Sequence, residues 1–409
     1  METESMRAIE KARKKPSYMR TNEFIHRRQY DYDLRTMLLE MGPNCNLRCF
    51  HCLEDCSPDR EGLPNPKIVH RALSGAIRAG VLKLALTCGE PLREENREVV
   101  GIAAKYSDLI NTNIITNGTF AKTPESAINW IRYLKKKGFD ITRDASNLCV
   151  SFGRMYPTTR NHFRNINEAI KKVYPNADYG KSLYYSFINM AGERQEAVKR
   201  VNEVILTINE TFGKRRNERM GKLGYEHAAY CYPTKGSPIK ISIAQVEPYG
   251  RANNLPLFDK LIPKKHLDLG DIVMEHDPVG DFMIFFNGDV HFCDDCASLG
   301  REIPYGNVTK EHLGIILQKM RMDPLFQSFK LGGTPLIYYT AQEVEPDFTI
   351  FGRTGYDINR EIFGNKRLVS KIRNYLSKNG VVDTYKDFIN SVDLRKPGFN
   401  PRDIEVSEN

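Results

Sequence analysis

The chain has 409 residues, a net charge of +9, 41% hydrophobic and 27% charged residues, and nine cysteines. This is the composition of an ordinary globular protein, and so few cysteines exclude a disulfide-rich secreted scaffold. The N-terminal stretch METESMRAIEKARKKP has no apolar segment, and no run of about eighteen apolar residues occurs anywhere. We therefore expect reduced cysteines, a cytoplasmic location and no membrane partner.

A basic run, GKRRNERMGK, lies at residues 213–222. Such a run could face a phosphate or a nucleic acid, but a solvated loop or helix face is the more common role. The net charge is modest for a chain of this size, so we do not expect nucleic acid as a partner.

From about residue 35 onward, predicted strands alternate with predicted helices. Residues 65–80 form a well-bounded helix, which Asn65 can cap, Pro66 can begin and Gly80 can end. Residues 123–138 repeat the same formula. Six strands are predicted at residues 35–42, 81–87, 110–116, 147–152, 182–189 and 239–246.

This alternation implies a parallel sheet with helices packed outside it. Six β/α units are too few for a closed eight-fold barrel. We therefore predict an α/β fold, a partial (β/α)6 TIM-type barrel, with functional residues at the C-terminal ends of its strands.

The alternation stops after about residue 255. Residues 282–293, FMIFFNGDVHFC, predict a β-hairpin because Asn287-Gly288 is a strong turn signal between two apolar runs. Helices are predicted within 306–325 and 365–380, which gives a small α+β extension. The predicted division is an N-terminal extension at 1–33, a barrel at 34–255, an extension at 256–340, and a helical region with a polar tail at 341–409.

The stretch CNLRCFHC, residues 45–52, places Cys45, Cys49 and Cys52 at the spacing C-x3-C-x2-C. Structural zinc takes four ligands, usually as two pairs that a longer loop separates. Three thiolates on one loop suit three corners of a four-iron cluster, which leaves one iron open to an exogenous ligand. Cys56 follows closely and could supply a fourth thiolate, so a ferredoxin-like electron carrier stays open as an alternative.

This loop resembles the cluster motif of the radical S-adenosylmethionine (radical SAM) superfamily, with His51 at the position before the last cysteine. The stretch TCGEP at 87–91 resembles the GGEP motif of that family, although Cys88 replaces its first glycine. The resemblance implies that Cys45, Cys49 and Cys52 bind the cluster. It also implies that the methionine moiety of SAM is held by Cys88, Gly89, Glu90 and Pro91.

Three further strand ends carry polar residues that the resemblance places near the nucleoside of SAM. They are Asn117 in ITNGT, Ser151 in CVSFG and Asn189 at the end of the fifth strand. A simple turn is an equally good interpretation of the first two. The segment VEPYGRANN at 246–254 resembles a P-x-G-R-A segment of the family, whose Arg251 could bind a carboxylate or form a structural ion pair.

The stretch 287–308 resembles the start of the SPASM or twitch extensions that bind auxiliary clusters in this superfamily. Cys293 and Cys296 match its opening, but no cysteine follows Cys296, so the extension is incomplete. Three interpretations stay open: an auxiliary iron–sulfur cluster completed by Cys231 or a non-cysteine ligand, a pair that binds substrate or does redox chemistry, or a degenerate extension without metal.

As a whole, the resemblance implies a [4Fe-4S] cluster and SAM as cofactors. It implies an oxidoreductase-type enzyme that cleaves SAM reductively to a 5′-deoxyadenosyl radical, which abstracts hydrogen from a small-molecule or peptide substrate. A flavodoxin or ferredoxin would supply the electron. The short N-terminal extension favours a small molecule, or a peptide that a partner delivers. The alternatives are a ferredoxin-like protein that closes its cluster with Cys56, and a zinc-binding protein.

Overall fold

A computed structural model describes most of the chain. The described residues are 34–52, 54–139, 141, 147–153, 155–189, 194–213, 219–223, 226–231, 233, 237–245, 264–267, 282–292, 304–352 and 355–391. They form two compact units. The barrel unit comprises the described parts of Leu34–Lys265 and His276–Leu317, and the helical unit those of His266–Glu275 and Gln318–Asn400.

Thirteen strands are present in the described part of the chain. They are β1 Thr36–Glu40, β2 Lys83–Thr87, β3 Asn111–Thr116, β4 Asn147–Gly153, β5 Leu183–Asn189, β6 Arg219–Leu223, β7 Glu226–Cys231, β8 Ile239–Gln245, β9 Lys265–Leu267, β10 Phe282–Ile284, β11 Asp289–Phe292, β12 Gly306–Asn307 and β13 Ile350–Gly352. Eleven of them form one sheet in the order β12-β11-β10-β1-β2-β3-β4-β5-β8-β7-β6, and β9 pairs with β13.

The six predicted β/α strands are β1 to β5 and β8, and each pairs in parallel with the next. The two end strands of the sheet, β12 and β6, do not pair with each other among the described residues. The sheet is therefore open, and the prediction of a partial barrel is confirmed. Because all six strands run the same way, their C-terminal ends lie along one edge.

The helices of the described residues follow the strands as expected. They are α1 Pro66–Arg78, α2 Arg97–Lys105, α3 Pro124–Lys137, α4 Arg160–Val173, α5 Tyr179–Ser182, α6 Arg194–Phe212, α7 Leu313–Met322, α8 Pro324–Val344, α9 Gly355–Gly364, α10 Lys366–Asn379 and α11 Val381–Ser391.

Capping residues fix the ends of these helices. The Asn65 side chain accepts a hydrogen bond from the backbone N–H of Lys67 at 2.9 Å, and Thr123 accepts one from Ser126 at 3.2 Å. Gly138 ends α3 with φ of +104°, a left-handed conformation that glycine adopts without penalty. The predicted bounds of α1 and α3 are therefore confirmed.

Alternation along each strand separates two faces of the sheet. In β4, Leu148, Val150 and Phe152 are fully buried, and the Phe152 ring packs edge-on against Phe163 of α4 at a centroid distance of 5.2 Å. The other face of β4 carries half-buried polar side chains, including Ser151. The helix-facing side therefore holds the core, and the inner side of the open barrel presents polar groups.

The predicted hairpin at 282–293 is confirmed as β10 and β11, with Gly288 at φ of +93° in the turn. It does not form a sheet of its own, because β10 pairs in parallel with β1. The domain boundaries drawn from the sequence remain predictions.

One element in the basic run corrects the sequence analysis. Residues 213–222 were expected to form a solvated loop or a helix face, but Arg219–Leu223 form β6. This strand pairs antiparallel with β7, and β7 pairs antiparallel with β8. Pairing with a neighbouring strand decides the structure of such a segment more than its own charge pattern does.

The helical unit has a core of its own. A kink at Gly333, with φ of +62°, interrupts α8 shortly before Pro335. The Arg373 side chain forms an ion pair of 2.7 Å with the buried Asp323, which caps α8. No helix among the described residues is long and apolar enough to cross a membrane.

Candidate functional site

The cysteine loop folds back on itself directly after β1. The backbone N–H of Cys45 donates to the carbonyl of Ser57 at 3.1 Å, and that of Ser57 donates to Pro43 at 3.0 Å. Within the loop, Cys52 donates its N–H to Cys49 at 3.2 Å, which makes a tight turn. The loop therefore lies at the C-terminal edge of the sheet, where the sequence predicts it.

The three predicted cluster ligands lie in a shielded but charged setting. Cys45 is buried, with 8% of its surface exposed, and Cys49 and Cys52 are half-buried. Burial is the main cause that raises the pKa of Cys45 to about 11, and the charges of Glu90 and Cys52 act in the same direction. A thiol of this kind is neutral at pH 7, and it releases its proton to solvent when its sulfur binds a metal.

This donor set fits an iron–sulfur cluster better than a single ion. Among the described residues, no three Cys, His, Asp or Glu side chains are close enough together to hold one metal ion. In a cluster, each thiolate binds a different iron, so the ligands are spread apart. Cys45, Cys49 and Cys52 lie on one loop, and all three act electrostatically on the hydroxyl of Tyr156.

Cys56 connects the cysteine loop to the TCGEP segment. Its backbone N–H donates to the Cys52 sulfur at 3.2 Å, and its own sulfur accepts the N–H of Gly89 at 3.1 Å. The thiol is buried, and the hydrogen bond with Cys52 and the burial raise its pKa far above the usual range. Cys56 therefore lies beside one predicted ligand while it holds the backbone of the predicted SAM motif.

Two successive left-handed residues shape the TCGEP turn. Cys88 has φ of +57° and Gly89 has φ of +70°. A Cβ on Gly89 would lie 2.9 Å from the carbonyl oxygen of Asn44 and closer still to that of Gly42. Only glycine fits this position, whereas Cys88 adopts the left-handed conformation at some cost. Cys88 therefore holds a left-handed conformation that a glycine would adopt without penalty.

Glu90 ties the second strand end to the third. It is 1% exposed, and its carboxylate accepts hydrogen bonds from the hydroxyl of Thr116 at 2.6 Å and the backbone N–H of Asn117 at 2.7 Å. It also accepts the N–H of Leu92 at 2.9 Å. Burial raises the pKa of Glu90 to about 7, although these hydrogen bonds pull it down.

Asn117 closes the connection back to the cysteine loop. Its side-chain N–H donates to the side-chain oxygen of Asn46 at 2.8 Å, and its own oxygen accepts the Thr119 hydroxyl at 2.6 Å. The Asn46 amide in turn donates to Thr119 at 2.7 Å. The structure thus brings together the cysteine loop, TCGEP and ITNGT, three segments that the sequence analysis assigned to one site.

The other predicted site residues lie outside the hydrogen-bonded junction of these three segments. Pro91 is buried behind the turn, and Ser151 lies on the inner face of β4, opposite Ser186 of β5 in the strand register. Asn189 is the last residue of β5, and its side chain lies outside the described residues. Cys231 is fully buried in β7 beside Ile239 of β8. Arg251, Cys293 and Cys296 also lie outside the described residues.

Three residues at the site escaped the sequence analysis. Tyr156, just past β4, forms a 3.1 Å hydrogen bond through its hydroxyl with Nε2 of His51. Asn46 carries the amide contacts described above, and Arg93 donates to the side-chain oxygen of Asn44. These contacts join segments that are distant in the sequence, so no local spacing of residues predicts them.

Sequence comparison extends this picture. No family model matches the chain. A GTP 3′,8-cyclase of Acidothermus cellulolyticus is 22% identical over 275 residues, which are 65% of this chain and 71% of that protein. This similarity supports the resemblance of the chain to the radical SAM superfamily.

Other relatives match a shorter part of the chain. A probable GTP 3′,8-cyclase of Methanococcus vannielii is 26% identical over 91 residues, 22% of this chain, and one of Pyrococcus horikoshii is 32% identical over 82 residues, 20% of this chain. The matched segments span only 31% and 26% of those two relatives. The activity of the whole cyclases therefore cannot be assigned to this chain from similarity alone.

Solved structures of similar proteins are more distant. Streptococcus suis SuiB bound to S-adenosylmethionine is 15% identical to this chain, and the match covers 72% of this chain and 67% of SuiB with a TM-score of 0.42. A TM-score below 0.5 does not establish a common fold, so the fold of this protein is argued from its own strands.

Proposed function

We propose that the chain is a radical SAM enzyme that binds a [4Fe-4S] cluster through Cys45, Cys49 and Cys52 and binds SAM at the remaining iron. The observation that carries this proposal is the hydrogen-bonded junction of the three motif segments. Glu90 binds the backbone of Asn117, and Asn117 binds Asn46 of the cysteine loop. A cluster on that loop and a ligand on TCGEP would therefore be neighbours.

When bound, the cluster and SAM supply a 5′-deoxyadenosyl radical that abstracts hydrogen from the substrate. The chain's own residues shape the proposed cluster and SAM site. The buried, raised-pKa thiol of Cys45 gives its proton up on cluster binding, and Gly89 lets the TCGEP backbone approach the loop without a side chain between them. Glu90 uses its carboxylate to hold the second and third strand ends at a fixed spacing.

The proposed SAM contacts follow the same edge. The backbone of Cys88 and Gly89 would face the methionine moiety, with Glu90 and Pro91 setting the turn behind it. Asn117, Ser151 and Asn189 end or nearly end three successive parallel strands. They are proposed to face the nucleoside.

The ferredoxin-like alternative depends on Cys56 as the fourth ligand. Its sulfur already accepts the N–H of Gly89, and its backbone supports the sulfur of Cys52. Both contacts favour a supporting role beside the cluster, since hydrogen bonds to ligand sulfurs tune a cluster without ligating it. The open iron is then left for SAM.

The substrate is proposed only as a class. The named relatives act on GTP, and one solved structure holds SuiB with the precursor peptide SuiA. We propose a small molecule or a peptide, and an external reductant such as a flavodoxin or ferredoxin. The reaction is proposed to be of the oxidoreductase type. An auxiliary cluster at Cys293 and Cys296 remains a prediction.

The experiment that tests this proposal is EPR spectroscopy of the reduced cluster with and without SAM. Protein is reconstituted anaerobically as wild type, Cys45→Ala and Cys56→Ala. The proposal expects a spectrum that SAM changes in the wild type, a cluster that survives in Cys56→Ala, and no stable cluster in Cys45→Ala. A spectrum that SAM leaves unchanged, with loss of the cluster in Cys56→Ala, would instead support the electron carrier.

A further inference from the structure

Tyr156 lies at the mouth of the open barrel, in the turn that follows β4. Its backbone N–H donates to the carbonyl of Gly153 at 3.2 Å, so the turn is tight and starts at the strand end itself. Its hydroxyl is 3.1 Å from Nε2 of His51, and the two rings lie 5.5 Å apart with a tilt of 58°. The contact bridges 105 residues of sequence.

His51 sits between the last two predicted ligands, one residue before Cys52 and two after Cys49. The turn that links these cysteines, from the N–H of Cys52 to the carbonyl of Cys49, encloses His51. A restraint on the His51 ring is therefore also a restraint on the direction of both neighbouring sulfurs.

The hydroxyl of Tyr156 also faces the charges of the site. Burial is the main reason that its pKa lies well above the usual range, and the charges of Cys49, Cys52, Cys45 and Glu90 raise it further. All four groups are thus near enough to act on one hydroxyl. A tyrosine hydroxyl can donate a hydrogen bond to an imidazole nitrogen or accept one from it, so this contact holds the His51 ring.

We infer that Tyr156 is a positioning residue for the cluster: through His51 it holds the Cys49–Cys52 turn in its ligand-binding conformation. This inference rests on the proposed function, because it assumes that the loop binds a cluster. Partners of this kind, one bond removed from the metal ligands, are known to matter as a class, and their loss typically costs about 10- to 100-fold in metal affinity or activity.

The chain offers a matched control for this pair. Tyr106 forms a 2.6 Å hydrogen bond with Nδ1 of His70 on an exposed surface between α1 and α2. It is the same tyrosine–histidine contact, with rings 5.7 Å apart, but it lies on helices away from the cysteine loop. Tyr106→Phe therefore removes a similar hydrogen bond without touching the site.

The test measures the rate of iron loss to a chelator from anaerobically reconstituted protein, together with the EPR spectrum of the reduced cluster. Tyr156→Phe should lose iron about 10-fold faster than wild type and show a changed spectrum. Tyr106→Phe should match wild type in both. If Tyr156→Phe and Tyr106→Phe behave alike, the inference is overturned while the proposed function stands.

A second variant guards against a general loss of folding. His51→Phe and the double variant His51→Phe/Tyr156→Phe complete a cycle in which iron-loss rates are compared. If Tyr156 acts through His51, the second substitution adds little to the first. Independent, multiplying effects would overturn the inference. A wild type that takes up no cluster at all would overturn the proposed function and this inference together.

Discussion

The side-chain amide of Asn117 donates a 2.8 Å hydrogen bond to the side-chain oxygen of Asn46, across 71 residues of sequence. Asn117 follows the third strand, and Asn46 lies inside the cysteine loop. The contact is completed by Thr119, which bonds to both amides. Two surfaces that are predicted to hold different cofactors are therefore locked to each other by side chains.

Substitution of Asn46 tests this lock. Asn46→Ala removes both amide contacts and leaves Cys45 and Cys49 in place. We expect SAM affinity, measured by calorimetry on reconstituted protein, to fall about 5- to 10-fold, which corresponds to a net loss of about 1 kcal/mol from the two amide contacts. The control is Asn379→Ala, which removes an exposed amide contact of 3.0 Å in the helical unit. Equal SAM affinities in the two variants would argue against the lock.

Gly89 offers a steric test of the TCGEP turn. Gly89→Ala places a methyl group against the carbonyl oxygens of Gly42 and Asn44, so the backbone must move. The control, Gly80→Ala, has φ of +79° but no atom within 4 Å of the added methyl group. Gly80→Ala should cost about 1 kcal/mol of unfolding free energy, from backbone conformation alone.

We expect Gly89→Ala to cost at least about 2 kcal/mol more than its control in denaturant unfolding, because overpacking adds to the backbone term. It should also weaken SAM binding, whereas Gly80→Ala should not. Similar losses of stability in the two variants would show that the TCGEP turn does not approach the carbonyl oxygens of Gly42 and Asn44 closely.

Cys88 can be tested in the opposite direction. Cys88→Gly places the first glycine of the similar GGEP motif at a residue with φ of +57°. Relief of the left-handed strain stabilises the variant by about 1 kcal/mol. The variant also loses the contact of Cys88 with the apolar cluster around Leu38 and Met283, which opposes that gain. We therefore expect stability within about 1 kcal/mol of wild type and a normal iron content. A loss of iron in this variant would mean that Cys88 is a ligand.

Glu90 predicts a pH dependence of stability. Its pKa is about 7 in the folded protein and ordinarily 4.5, so the unfolded chain gives up this proton first as pH rises. The stabilisation of the folded protein by the neutral Glu90 carboxyl is therefore complete below about pH 4.5, and it is lost as pH rises through 7. The unfolding free energy falls by about 3 kcal/mol in total.

Glu90→Gln cannot ionise and serves as the reference for that measurement. The unfolding free energies of wild type and variant, both prepared without iron, are compared between pH 4.5 and 8. We expect the difference, wild type minus variant, to fall across this range. A constant or rising difference would contradict the raised pKa.

Much of the fold could be predicted because its signals are local. Asn65 and Thr123 cap helices that their own neighbours define, and Asn287-Gly288 marks a turn within a few residues. The β6–β7 hairpin was missed because Arg219–Leu223, RMGKL, has neither an apolar run nor clear alternation. Its strand structure comes from pairing with β7.

The site divides in the same way. Cys45, Cys49 and Cys52 stand out by spacing alone, and strand-end position suggested Asn117. Tyr156 and Asn46 could not be predicted from the sequence, because their contacts form only when β4 and β3 end beside the cysteine loop. Residues that act across a fold leave no periodic signal in the chain.

The central claim is tested most directly by product analysis. Wild-type protein is reconstituted anaerobically with iron and sulfide, then incubated with dithionite and SAM, and 5′-deoxyadenosine is measured by liquid chromatography. The account predicts that the wild type forms this product and that Cys45→Ala forms none. It would be contradicted by equal yields from the two proteins, or by no product from wild type that holds a full four-iron cluster.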